Sequence, residues 1–120
     1  MEKVVAALVS AAGELPVKPY GTDINEEAVC YTISPVSDDG AVAIRRLEVR
    51  IITRTVALAQ KLQSSILSAL VTVGDNPKNG YNSCYLNGGG SLWDDNTKMS
   101  HTILYLYITM KSEVNYNGKH

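Results

Sequence analysis

Little in this sequence can ligate a metal or carry thiol chemistry. It has two cysteines, Cys30 and Cys84, and two histidines, His101 and His120. The cysteines stand far apart, which excludes a CxxC redox pair and a zinc knuckle. Each lies among strand-forming residues (VCYTI and NSCYL), so both are expected to be small buried apolar side chains, reduced and metal-free. Surplus positive charge is also lacking. Eleven basic and twelve acidic residues leave a net charge of −1, with no sustained basic arm. The electrostatic footprint of non-specific nucleic-acid binding is therefore missing. No run approaches the ~20 apolar residues of a membrane span. The opening MEKVVAALVSAAG is interrupted by Ser10 and Gly13, and its one lysine is opposed by Glu2, unlike a secretory leader. These absences predict an intracellular, soluble chain with no membrane partner and no cofactor.

What is present suits one domain spanning residues 1–120. A hydrophobic fraction of 45% against 19% charged residues is that of an ordered globular chain. Val4, Val5, Leu8, Val9 and Ala12 recur at helical spacing, predicting a helix over 2–15 stopped by Gly13 and Pro16. The segment PVKPYGTDINEE, with two prolines, reads as a loop. Residues 28–36 alternate and are β-branched-rich, and SDDG after them signals a hairpin turn. Residues 41–55 alternate most clearly, with Leu47, Val49 and Ile51 on one face and Arg46, Glu48 and Arg50 on the other. From Val56 to Val73 the period becomes helical, with Val56, Ala59, Leu62, Ile66, Ala69 and Val73 as the apolar stripe and Gly74 as the cap. A short strand over 82–86, a connection over 88–100 and a final strand over 101–111 follow. The tail 113–120 has too little apolar content to pack and is expected to be flexible. The order α-β-β-α-β-β predicts an α+β fold: an antiparallel sheet of four strands, or slightly more, with helices packed on it.

The candidate chemical sites are thin. NGGGSL lacks a following GK[ST] and has strand-like sequence on both sides, so it does not form a phosphate loop. Three glycines between strands mark a bulge or a close backbone approach instead. Asp94 and Asp95 point to opposite faces of an extended chain and have no third ligand at useful spacing. Cys84 and His101 could face each other across the last hairpin as a nucleophile pair, but no nucleophile motif surrounds them. No catalytic residue, cofactor or metal ligand is assigned, and the chain is expected not to be an enzyme.

The final strand says more. Leu104, Leu106, Ile108 and Met110 make one apolar face, while Ile103, Tyr105, Tyr107 and Thr109 make the other. A sheet covered by helices on one side should be polar opposite. An apolar, aromatic second face suggests cover by another chain, or by the N-terminal helix or the long loop. Leu92 and Trp93 are bulky apolar residues in an otherwise polar connection, either reaching a partner or folding back on the sheet. The expected interface is thus Arg46, Glu48, Arg50, Leu92, Trp93, Tyr105 and Tyr107.

The stretches YTISPVSDDGAVAIRRLEVRIITRT, ALVTVGD, NSCYLNGGGSLWD and HTILYLYITMKS together resemble the small phage tail terminator proteins, often labelled minor capsid or tail completion proteins. The resemblance runs from Tyr31 to Ser112. It implies a virion structural protein, assembled in the host cytoplasm, that forms a homohexameric ring on the head-proximal end of a tail. Such a ring stops growth of the tube and offers a surface for head joining. The implied partners are further copies of the chain, the tail tube protein, a head-completion or connector protein, and the tail sheath where the tail is contractile. DNA enters only as cargo through the lumen. Two other classes compete: a small nucleic-acid-binding module using Arg45, Arg46, Arg50 and Arg54, and a small enzyme with a convergent polar cleft.

Overall fold

The computed structural model describes residues 1–21, 25–73 and 77–112. Among them the order is α1 (Glu2–Ala12), β1 (Val17–Pro19), β2 (Ala28–Asp38), β3 (Val42–Thr53), α2 (Val56–Leu70), β4 (Ser83–Asp94) and β5 (Met99–Lys111). The strands form one sheet in the order β1-β2-β3-β5-β4. β1 runs parallel to β2, and every other neighbouring pair is antiparallel. The expected four-stranded antiparallel sheet with order α-β-β-α-β-β is therefore wrong: the sheet is mixed, with a fifth strand between α1 and β2. That strand is three residues long and ends in Pro19, so its sequence reads as a loop. Its position at the sheet edge is where a proline lacking an N–H is tolerated. Pairing with Val29, Cys30 and Tyr31 of β2 makes it a strand.

β3 is central and sets the two faces. Ala43, Leu47, Val49 and Ile51 are buried with Leu104, Leu106 and Ile108 of β5 beneath the helices. α1 inserts Val4, Leu8 and Ala12, one turn apart, and ends where Gly13 takes a φ of 66°. α2 inserts Ala59, Leu62, Ile66 and Leu70. Each fully buried Val, Leu or Ile side chain contributes about 1.5–3 kcal/mol, and each alanine methyl less. Thr55 starts α2 by accepting the Leu58 N–H on its hydroxyl at 3.2 Å. The helix stops three residues earlier than its periodicity predicts, leaving Val56 and Val73 exposed at either end of the expected stripe. Gly74, the expected cap, lies outside the described residues. The last carbonyls are satisfied from the following segment: Lys78 Nζ donates to Ser68 at 3.0 Å and Asn79 Nδ2 to Ala69 at 2.9 Å. The buried Tyr81 hydroxyl donates to Leu70.

The β2–β3 turn forms as SDDG predicts. Asp39 Oδ1 accepts from the Ala41 and Val42 amides at 2.9 and 2.7 Å, and Gly40 adopts a φ of 89°. The expected 88–100 connection is mostly strand. β4 runs through the glycines to Asp94, with a bulge between Leu86 and Gly89, and only residues 95–98 turn the chain into β5. A side chain at Gly89 would run into the Ile103 carbonyl oxygen. The triple glycine is thus a bulge with close backbone approach, set inside a strand and not in the connection. The tail 113–120 lies outside the described residues.

Candidate functional site

Both helices pack on the same side of the sheet, and the other side presents one continuous row of side chains. Period two places Arg46, Glu48 and Arg50 there, and the register sets them opposite Tyr107, Tyr105 and Ile103 of β5. Tyr85 of β4 stands opposite Tyr107, and the two rings meet edge to face with centroids 5.8 Å apart. The Arg46 guanidinium carbon sits 4.5 Å over the Tyr105 ring. Glu48 bridges the two arginines, at 3.6 Å from Arg46 and 4.0 Å from Arg50. One carboxylate thus serves two guanidinium groups, and the triad keeps a net single positive charge. These partly exposed pairs add about 0–1 kcal/mol each, so they fix orientation more than they stabilise.

Arg50 is the most enclosed of the three. Tyr20, arriving from the segment after β1, stacks on its guanidinium at 4.5 Å. His101 of β5 presents Nδ1 to Arg50 Nη1 at 3.2 Å, and its Nε2 lies 3.9 Å from Asp94 Oδ2. Burial, and next the Arg50 charge, push the His101 pKa below its ordinary value, against the pull of Asp94. At this end the face closes over a small buried cluster of Ala28, Cys30, Ile52 and Met99. Tyr20, Tyr85 and His101 belong to the face but were not among the expected site residues. Tyr85 shares its parity with Tyr107 across the last hairpin, a signal that the Gly88–Gly89 bulge scrambles.

Leu92 and Trp93 sit in β4, not in a loop, opposite His101 and Ser100. They therefore point to opposite sides of the sheet, Leu92 to the helix-free side, and both are about half exposed (49% and 50%). Trp93 Nε1 donates to Asp95 Oδ1 at 3.1 Å. Asp94 holds the turn, accepting from the Asn96 amide at 3.0 Å and the Thr97 hydroxyl at 2.9 Å. Those two hydrogen bonds, Thr97 first, lower its pKa. The aspartate pair thus acts as turn chemistry. Cys84 and His101 do not meet: Cys84 lies opposite Ile108 and His101 opposite Leu92, on different faces. Both cysteines are buried and unpaired, and burial raises their thiol pKa values, that of Cys84 to about 11. Among the described residues no three His, Cys, Asp or Glu side chains gather as metal ligands do.

No family model matches the chain, and no curated protein matches it in sequence. Among solved structures it is similar to a chain of the virion of a native gene transfer agent particle, with a TM-score of 0.61 and 17% identity. The match covers 89% of this chain and 86% of that one. At this identity the likeness establishes a shared fold over nearly the whole of both chains.

Proposed function

We propose that this chain is a structural protein of a phage or phage-like virion. In this reading it caps the head-proximal end of the tail as a homohexameric ring, stops tube growth and supplies the surface that joins the head. The observation that carries it is the helix-free face. Tyr85, Tyr105 and Tyr107 line a sheet surface that the chain's own helices leave bare, around the ion-paired Arg46–Glu48–Arg50 ladder. Aromatic rings with polar handles, and arginines tied to a shared carboxylate and to ring faces, suit a surface that is buried on assembly. The shared fold with a chain of a gene transfer agent virion supports the same class of role. Neighbouring copies, the tail tube, a head-completion or connector protein and a contractile sheath are the partners this role requires, with DNA passing through as cargo.

The arrangement of the arginines favours this over nucleic-acid binding. Arg45 lies on the helix side opposite Ile108, while Arg46 and Arg50 share the other face with Glu48 between them. Among the described residues these arginines are thus divided between the two faces and interrupted by a carboxylate. The test is to delete the gene from a particle-producing strain and measure tails by electron microscopy. Overlong or headless tails, restored by the wild-type chain and with a tagged copy at the head-proximal tip, are the expected result. Tails of normal length that join heads would overturn the reading.

A further inference from the structure

The sheet leaves two stretches of edge backbone without a partner among the described residues. β4 is its last strand. At Cys84 its outer side is already taken: the Cys84 amide donates to the Thr72 hydroxyl at 3.1 Å, and the Thr72 amide donates to the Cys84 carbonyl at 3.0 Å. From Leu86 to Trp93 the outer backbone of β4 pairs with no described residue. Soluble proteins usually guard such an edge with lysine, proline or an inward charge. Ser83 to Trp93 contains no charged residue and no proline, and only the bulge at Gly88 and Gly89 interrupts it. The strand is also apolar on both sides. Tyr85 and Leu92 on the helix-free side, and Leu86 and Trp93 on the helix side, are 42–51% exposed.

The second open edge belongs to β2. β1 covers only Val29, Cys30 and Tyr31, so from Thr32 to Ser37, with a bulge at Val36, β2 pairs with β3 on one side and with no described strand on the other. This segment, TISPVS, also carries no charge, and Val36 is 52% exposed. Strand sense makes the two edges compatible. β2 and β5 run the same way and β4 runs against them. A neighbouring copy in the same orientation, slid along the strands by about four residues so that its β1 clears the β4 edge, would lay its β2 antiparallel to β4 and continue the alternation of the sheet. Pro35 withholds one donor, so the ladder would rest on the residues either side of it.

We propose that the β4 edge over 86–93 receives the β2 edge over 32–37 of a second copy of this chain, joining copies through a continued sheet. The contact is head-to-tail, so each added copy leaves a free β4 edge, and the series closes as a ring when the rotation permits. The proposal specifies the contact between copies within the ring described above and rests on that reading only for closure.

The test combines sedimentation with amide hydrogen exchange on the full chain at dilute and assembling concentrations. Exchange at 32–37 and 86–93 should slow together, by roughly tenfold or more, as assemblies form. Leu86→Lys and Leu92→Lys place charges on exposed edge positions. Each should abolish assembly and its protection while circular dichroism and Tm stay near wild type. Protection confined to 86–93 would indicate a two-fold β4–β4 contact and overturn the proposal. So would assemblies that persist in both lysine variants, protection appearing only in β5, or a wild-type chain that stays monomeric at every concentration. Tail length and head joining score the terminator reading separately, so either idea can fail alone.

Discussion

Arg50 Nη1 lies 3.2 Å from His101 Nδ1, across the β3–β5 pair on the helix-free face. A guanidinium can only donate, so Nδ1 must offer its lone pair and the proton resides on Nε2, toward Asp94. A second proton would have to sit on Nδ1, against the Arg50 charge, in a site where His101 is 7% exposed. The folded state therefore prefers neutral His101. Its pKa is depressed below the ordinary 6.5. The stability this neutral histidine contributes is complete above about pH 6.5 and is lost as pH falls through that value toward the folded pKa. Denaturant unfolding between pH 7.5 and 5 should show stability declining toward acid, and His101→Gln should flatten that slope. An unchanged slope in the variant would assign the effect elsewhere. Asp94 and the turn aspartates Asp38 and Asp39 are lowered below 3.8, so their contributions fade only in stronger acid.

Glu48 is shared by two arginines of one face. Glu48→Lys removes both ion pairs and leaves three cations side by side. At about 0–1 kcal/mol for each pair, with the repulsion among the cations added, the isolated fold should lose roughly 1–2 kcal/mol. Assembly should suffer far more, since charge complementarity at an interface governs register and partner choice. The expected outcome is a folded variant by circular dichroism that fails to incorporate into particles. Normal incorporation would remove this face from the interface.

The glycines of β4 offer a contrast within three residues. A Cβ at Gly89 would collide with the Ile103 carbonyl, whereas at Gly90 it would meet open space. Gly89→Ala should force the bulge apart and destabilise the chain by about 1–3 kcal/mol. Gly90→Ala should be neutral or slightly stabilising, because it restricts the unfolded chain. Chemical denaturation of the two variants checks both, and equal effects would contradict the bulge geometry.

How much of this was legible in the sequence depended on where the determining contacts lie. β3 and β5 could be read because each buries one face, so alternation survives in Leu47, Val49 and Ile51 and in Leu104, Leu106 and Ile108. The placement of Arg46, Glu48, Arg50, Tyr105 and Tyr107 on one face followed from the same period. β1 could not be read: three residues beside prolines carry no pattern, and pairing with β2 alone makes them extended. The length of β4 was hidden for a related reason. Its glycines disfavour a strand locally, but the ladder to β5 holds them in one. Tyr20 reaches Arg50 only through the path of the chain after β1, which no local spacing encodes.

Trp93 gives the sharpest separation between packing and contact. It lies half exposed on β4 and its indole N–H is already used by Asp95. Truncating a fully buried tryptophan costs about 3–5 kcal/mol, so a half-exposed one should cost roughly half of that or less. Trp93→Ala should therefore leave a folded chain with a modestly lowered Tm. Tryptophan is also among the residues most often dominant at interfaces, because one side chain buries a large area with few rotors. On the terminator reading, the variant should give overlong tails or tails that do not join heads, even at a temperature where the isolated chain is fully folded. If instead particles made at low temperature are normal and only thermal stability falls, Trp93 serves its own sheet and its place in the interface is lost.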